Sequence, residues 1–309
     1  MPIYLKEEDA VEFADMPSVI AALRTALASQ ASGAAVNVPR RRLDFGKGRL
    51  NVMAGGSEGG SRYAVKCYGS SAHHMLLYSG DAGLLAIMEA GGLGAIRTGA
   101  ASAVASEIMA RPSAGRVGLI GAGRQARTQV LALQAVGCLS ELAVFARDRV
   151  KRTAFCRELQ SEIGAPVRDA VSAEDAVAGA DIVVTATTSA TPVLMHGWLS
   201  PGAHINAMGA NAATRRELDP EILLRASLIV TDDVAQAKLE AAEFIDLAIA
   251  GRLDWARIVP LHQLVAAPPR ERDPDAITLF KSLGIGLEDL AIASLVYDRA
   301  MASGRFKPL

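Results

Sequence analysis

Val117-Gly118-Leu119-Ile120-Gly121-Ala122-Gly123-Arg124-Gln125-Ala126 is an apolar run that ends in G-x-G-x-x-A. In such a turn Gly121 permits the tight bend, Gly123 lets a backbone approach a pyrophosphate, Ala126 lets the following helix pack on the strand, and the helix N-terminus offers aligned N–H donors. Taken alone the motif is weak, because a Gly-rich turn in any α/β core can match it. Its context is stronger. A strand precedes it, a helix over roughly 125–136 follows, and a second strand, Leu142-Ala143-Val144-Phe145, begins where a ribose-reading loop should be. The stretch therefore predicts a dinucleotide site on a parallel sheet.

The pattern continues outward. A helix near 150–163, a short helix opened by Ser172-Ala173-Glu174-Asp175, and strands at 181–185 and 204–208 alternate along the chain. That alternation implies an α/β, doubly wound parallel sheet of the Rossmann kind. Thr187 and Thr188 follow the 181–186 strand on the carboxyl side, where a cofactor lies at the topological switch point; hydrogen bonds to ribose or phosphate and ordinary turn roles are both open for them.

Upstream, Arg111-Pro112-Ser113-Ala114-Gly115 reads as a linker, and the residues before it as mixed α+β. Asp15-Met16-Pro17 starts a helix with Val19, Leu23 and Leu27 on one stripe. Extended runs at 50–53, 63–68, 75–78 and 84–88, separated by Gly/Ser punctuation, look like antiparallel strands joined by hairpins. The Ala/Ser/Gly-rich 98–109 suits a closely packed helix, and 287–301 is a last amphipathic helix, where Glu288-Asp289 reads as dipole compensation rather than catalysis.

Composition narrows the function classes. With 309 residues, two domains or one large one are expected. Thirty-two Lys+Arg against 33 Asp+Glu give a net charge of −1, without the basic footprint of a nucleic-acid binder. Half of the residues are hydrophobic and the mean hydropathy is +0.23, yet no long apolar stretch escapes charge and Gly breaks, so no membrane association is expected. The start turns acidic at Lys6-Glu7-Glu8-Asp9, which favours a cytoplasmic protein. Cys67, Cys138 and Cys156 are spaced for neither a disulfide framework nor zinc, and no His, Cys or carboxylate set shows metal-ligand spacing. His73 and His74 are adjacent and point to opposite faces of a strand, so one of them can reach a pocket.

The end of the second strand bears on cofactor choice. An NAD site would show an acid there; this chain has Ala146, then Arg147, with Arg149, Lys151 and Arg152 close behind. A guanidinium suits a 2′-phosphate, so NADP is favoured, while NAD remains possible through Asp148, and solvated charge at a helix start is the alternative for the arginines.

The sequence resembles the ornithine cyclodeaminase/mu-crystallin family. The matching stretches, in family order, are Ala95-Ile96-Arg97-Thr98-Gly99-Ala100-Ala101-Ser102-Ala103, Gly121 to Ala126, Pro201-Gly202-Ala203-His204-Ile205-Asn206-Ala207-Met208-Gly209-Ala210, Glu217-Leu218-Asp219, and Leu279-Phe280-Lys281-Ser282-Leu283-Gly284. The resemblance implies a substrate-binding and dimerisation domain over 1–112 with 278–309, and a Rossmann domain over 113–277. It also implies a homodimer, and hydride transfer at a carbon that bears nitrogen next to a carboxylate. Its substrate residues fall on Arg41, with Arg40 as the weaker alternative, on Lys66 and on Arg97; Lys66 is also the candidate acid or base. Its cofactor residues fall on Thr98, Gly121, Ala122, Gly123, Arg124, Gln125, Ala126, Arg147, Thr187, Met208, Gly209 and Leu283. Physics favours the substrate trio, because a small amino acid has little area to bury and must be held by charge-assisted hydrogen bonds.

One departure ranks the reactions. Cyclodeaminases and the family's alanine dehydrogenases carry an Asp shortly after the Gly-Ala step, where this chain has Asn211, an amide that orients a substrate but accepts no proton. The segment at 68–74 is also shorter than the family's loop there. The expected activity is therefore NAD(P)H-dependent reduction of a small ketimine of the Δ1-pyrroline-2-carboxylate type. Ornithine cyclodeaminase comes second, alanine dehydrogenase third, and an NADP-dependent small-ligand binding protein is the non-enzymatic alternative.

Overall fold

The computed structural model describes residues 2–57, 61–269 and 271–306. The chain forms two compact units: one made of the residues up to Ala101 together with those from Gly284 on, the other of Ser102–Leu283.

The first unit begins with β1 (Ile3–Leu5), α1 (Glu7–Glu12) and α2 (Met16–Ala31). Asp15 caps α2 by accepting from the Ser18 N–H at 3.1 Å, and Val19, Leu23 and Leu27 are buried, as the sequence predicts. Strands β2 (Ala35–Asp44), β3 (Arg49–Ser57), β4 (Tyr63–Tyr68), β5 (His73–Ser79) and β6 (Gly83–Glu89) follow, then α3 (Gly91–Met109). The sheet order is β1-β6-β5-β4-β3-β2. The expected hairpins are antiparallel, while β1 adds to β6 in parallel. Pro39 is tolerated because β2 is an edge strand and its register shifts between Val38 and Arg41.

The second unit carries β7 (Arg116–Ile120), α4 (Arg124–Ala135), β8 (Glu141–Phe145), α5 (Arg149–Glu162), β9 (Val167–Asp169), α6 (Ala173–Val177), β10 (Ile182–Thr185) and β11 (His204–Ala207). It continues with α7 (Pro220–Arg225), β12 (Leu228–Thr231), α8 (Val234–Glu240), α9 (Ala242–Ile249), β13 (Ile258–Pro260), α10 (Leu261–Ala266) and β14 (Thr278–Lys281). Its strands pair in parallel in the order β13-β12-β14-β11-β10-β7-β8-β9. Both faces are covered: Ile182 and Val184 belong to one buried cluster and Val183 to the other. This is the doubly wound α/β sheet expected from the Gly-rich turn. The order reverses between β7 and β10, the switch point of such a sheet. The observed division falls at 101/102 and 283/284, against 112/113 and 277/278 expected from the sequence; β14 sits inside the parallel sheet between β11 and β12 and so draws 278–283 into the second unit.

The chain ends in α11 (Gly286–Ala302), in the first unit. Its start meets β3 backbone to backbone: a Cβ on Gly55 would come within 2.6 Å of Leu287, and one on Gly286 within 2.3 Å of Ala54. Glycine on both sides is what lets the helix lie directly on the sheet. Among the described residues no helix is long and apolar enough to cross a membrane.

Candidate active site

In β4 the alternation places Ala64 and Lys66 on the buried face of the sheet. Lys66 is 4% exposed, and its Nζ lies 3.2 Å from Asp289 Oδ1, on the first turns of α11. Arg97, on α3, donates from Nε to the same Asp289 oxygen at 3.0 Å and from Nη1 to Glu288 Oε2 at 3.0 Å. Arg40 is also buried and donates from Nη2 to the Gly284 carbonyl at 2.9 Å. The Lys66 ammonium lies 5.6 Å from the centre of the Tyr68 ring, on which His73 stacks at 5.2 Å.

Among the described residues, the buried charged groups of the first unit are Arg40, Lys66, Arg97, Glu288 and Asp289. Three cations face two carboxylates, so the group carries one excess positive charge in a site largely shielded from water. Burial lowers the Lys66 pKa to about 8, with Arg97 and Arg40 acting in the same direction and Asp289 opposing them. An amine with that pKa exchanges a proton near neutrality.

In the second unit, Gly121 has φ +128° and its missing Cβ would lie 2.4 Å from the Ala186 carbonyl oxygen, so the tight turn and its packing both demand glycine. A Cβ on Gly123 would meet nothing within 4 Å, and Gly123 caps α4 with no side-chain bond to the helix N–H groups. Gln125, in that first turn, has a buried amide oxygen with no partner. An open glycine and a helix end whose N–H groups carry no side-chain cap fit a dinucleotide's phosphates, and the Gln125 oxygen, an acceptor, suits a hydroxyl donor. The other segments that the sequence assigns to cofactor in this unit leave the carboxyl ends of β8 (Arg147), β10 (Thr187), β11 (Met208, Gly209) and β14 (Leu283), which with β7 are consecutive in the sheet. Arg147 is exposed, while Asp148 caps α5 by accepting from Lys151 N–H at 3.1 Å. Arg152 is drawn inward onto Asp169 and the Ala146 carbonyl.

Glu217 organises this edge. Its buried carboxylate accepts from Thr187 N and Oγ1 and from Gly209 N, all at 2.7 Å, and from Thr185 Oγ1 and Ala210 N at 3.1 Å. One side chain thus ties the loops leaving β10 and β11. Among the described residues no three His, Cys, Asp or Glu gather as a metal ion would need.

The sequence profile of the ornithine cyclodeaminase/mu-crystallin family matches residues 3–304. The chain belongs to this family. Ketimine reductase mu-crystallin of Mus musculus is 34% identical over 248 residues, 80% of this chain and 74% of that protein. The solved Thermococcus litoralis Δ1-pyrroline-2-carboxylate reductase, in complex with NADH and L-proline, superimposes with a TM-score of 0.94 at 30% identity, covering 99% of this chain and all of that one. An archaeal alanine dehydrogenase dimer with bound NAD gives 0.91 at 29% identity, over 100% of this chain and 98% of that one. The protein is an enzyme of this family, whose members are NAD(P)-dependent reductases or cyclodeaminases.

The family resemblance assigns Arg41, Lys66 and Arg97 to substrate. The structure brings Lys66 and Arg97 together, but the arginine buried with them is Arg40; Arg41 pairs opposite Val52 and is exposed. The β2 bulge, where Pro39 and Arg40 oppose the single residue Met53, adds one residue and turns Arg40 inward. Thr98 is engaged within α3, accepting from Arg97 Nη1 and donating to the Gly94 carbonyl, and the Thr187 hydroxyl donates to Glu217. Asn211 is half-buried in the loop after β11. His73 shares the face of Lys66, and His74 points to the other. Sequence reasoning missed Glu217, Glu288 and Asp289. For the last two the signal was present: acids flanked by Leu287, Leu290, Ala291 and Ile292 sit in an apolar stretch and need buried cationic partners.

Proposed function

We propose that the protein is an NAD(P)H-dependent ketimine reductase acting on small cyclic imino acids of the Δ1-pyrroline-2-carboxylate type. The observation that carries this reading is the buried set of Arg40, Lys66 and Arg97 against Glu288 and Asp289, whose single excess positive charge matches one substrate carboxylate. The arginines bind and orient that carboxylate. Lys66 donates a proton to the imine nitrogen as the adjacent carbon takes a hydride, so the C=N bond becomes CH–NH, and the lysine regains its proton from water. NAD(P)H, when bound, supplies the hydride. Asn211 offers a hydrogen bond and no base, which favours reduction over loss of ammonia from L-ornithine. Arg147, exposed beyond β8 while Asp148 is committed to capping, favours NADPH over NADH.

The homodimer belongs to the same reading. Across the first sheet Tyr4, Ile87, Leu76, Val65, Ala54 and Val38 stand in register as one apolar row, each half-buried or exposed. A second copy covering that row accounts for it.

The test follows NADPH and NADH oxidation with a panel of cyclic imines, alongside ammonia release from L-ornithine. Consumption of reduced cofactor by Δ1-pyrroline-2-carboxylate or a homologue is expected, with little ammonia from ornithine. Faster ornithine deamination than imine reduction would overturn the assignment.

A further inference from the structure

We propose that Asp289 is the positioning residue of this site: one carboxylate oxygen, accepting from both Lys66 and Arg97, fixes the ammonium in place and keeps it charged. The inference rests on the reductase reading for its consequence in catalysis, but its geometry stands without it.

Asp289 Oδ1 is 3.2 Å from Lys66 Nζ and 3.0 Å from Arg97 Nε. Asp289 and Lys66 are respectively 1% and 4% exposed, so little water competes for either bond. In such a medium the attraction between the two charges is screened little, and removing one partner leaves the other buried and uncompensated. The carboxylate cannot follow the lysine if the lysine moves, because the start of α11 is locked against β3 at Gly55 and Gly286. Its other oxygen, Oδ2, is buried without a hydrogen-bond partner.

The groups facing Lys66 define what Asp289 does. Arg40 comes from β2, Arg97 from α3, Glu288 and Asp289 from α11, Tyr68 from its own strand, and His73 from β5 behind the Tyr68 ring. Arg40 and Arg97 both favour the neutral amine, as burial does; Asp289 opposes them. Removing its charge leaves the lysine between two guanidinium groups, and the proton needed for the imine nitrogen is lost at lower pH.

The test replaces Asp289 in the full-length protein and reads Lys66 directly by NMR of 13Cε-labelled lysine, the Lys66 signal being the one absent from Lys66→Met. Wild-type Lys66 is expected to titrate near pH 8. In Asp289→Asn the midpoint should fall by at least about one unit, and in Asp289→Glu, which keeps the charge, it should stay within about half a unit. The alkaline limb of the kcat/KM profile for Δ1-pyrroline-2-carboxylate reduction should move with it, at pH 8 through kcat more than through KM. An unchanged midpoint in folded Asp289→Asn, or equal shifts in the two variants, overturns the proposal. A shifted midpoint without a shifted rate limb supports the positioning role and removes Lys66 as the acid of the proposed reaction.

Discussion

Lys66 and Asp289, 223 positions apart, meet as a buried ion pair with Nζ 3.2 Å from Oδ1. The strand alternation of β4 turns the lysine inward, and the glycine contact between β3 and α11 sets the carboxylate above it. Arg97 shares the same oxygen, so the pair is already anchored before any substrate arrives.

The arginine that completes this group is Arg40 rather than Arg41. Arg40→Ala should raise KM for the imino acid by at least about 10-fold, since a charge-assisted hydrogen bond contributes roughly 1.5 to 3 kcal/mol. Arg41→Ala, at an exposed position, should change KM less than about 2-fold. Steady-state kinetics of the two variants decide it, and the reverse ranking would restore Arg41.

Cofactor choice turns on Arg147. Losing its contact to a 2′-phosphate should raise KM for NADPH by about 10-fold or more in Arg147→Ala and leave NADH kinetics nearly unmoved. A wild type that prefers NADH would remove this role from Arg147.

Glu217 binds two loops through five donors, so its loss strands several buried N–H and O–H groups at once. Glu217→Gln should destabilise the protein by about 3 kcal/mol in urea unfolding and weaken cofactor binding in titrations followed by nicotinamide fluorescence. Unchanged stability would show that the loops hold without it.

His204 sets an acid limit. Burial, helped by the charge of Arg272 and only partly opposed by Asn206, lowers its pKa to about 3, so the folded imidazole stays neutral between Thr278 and Asn206. Below about pH 6.5 the unfolded chain takes up a proton that the folded chain refuses until about pH 3. Stability therefore falls with pH across that window, by about 1.4 kcal/mol per unit. Between pH 6.5 and 5 the wild type should lose about 1.6 kcal/mol more than His204→Gln; parallel losses would place the acid sensitivity elsewhere.

Local rules served the sequence reading where the signal was local. The Asp15 and Ser172 caps and the turn at Gly121 are each set by neighbours within a few residues, and all three stand in the structure. Strands β12 to β14 are hard to read because strands of three or four residues carry no usable period. In β14 the charge of Lys281 argues against a buried strand, until Glu243 is seen 3.3 Å away. By sequence Glu288 and Asp289 read as helix-start acids because that rule is local, whereas Arg97 is 191 positions from Glu288. The inward turn of Arg40 depends on the bulge at Pro39; the proline marks an irregular edge strand but does not say which of Arg40, Arg41 and Arg42 turns inward.

The most direct measurement is single-turnover reduction of Δ1-pyrroline-2-carboxylate by Lys66→Met loaded with the reduced cofactor. The rate should fall by about 100-fold or more, with cofactor affinity unchanged because the Gly-rich turn lies in the other unit. Reduction at the wild-type rate would contradict the assignment of Lys66 as the acid.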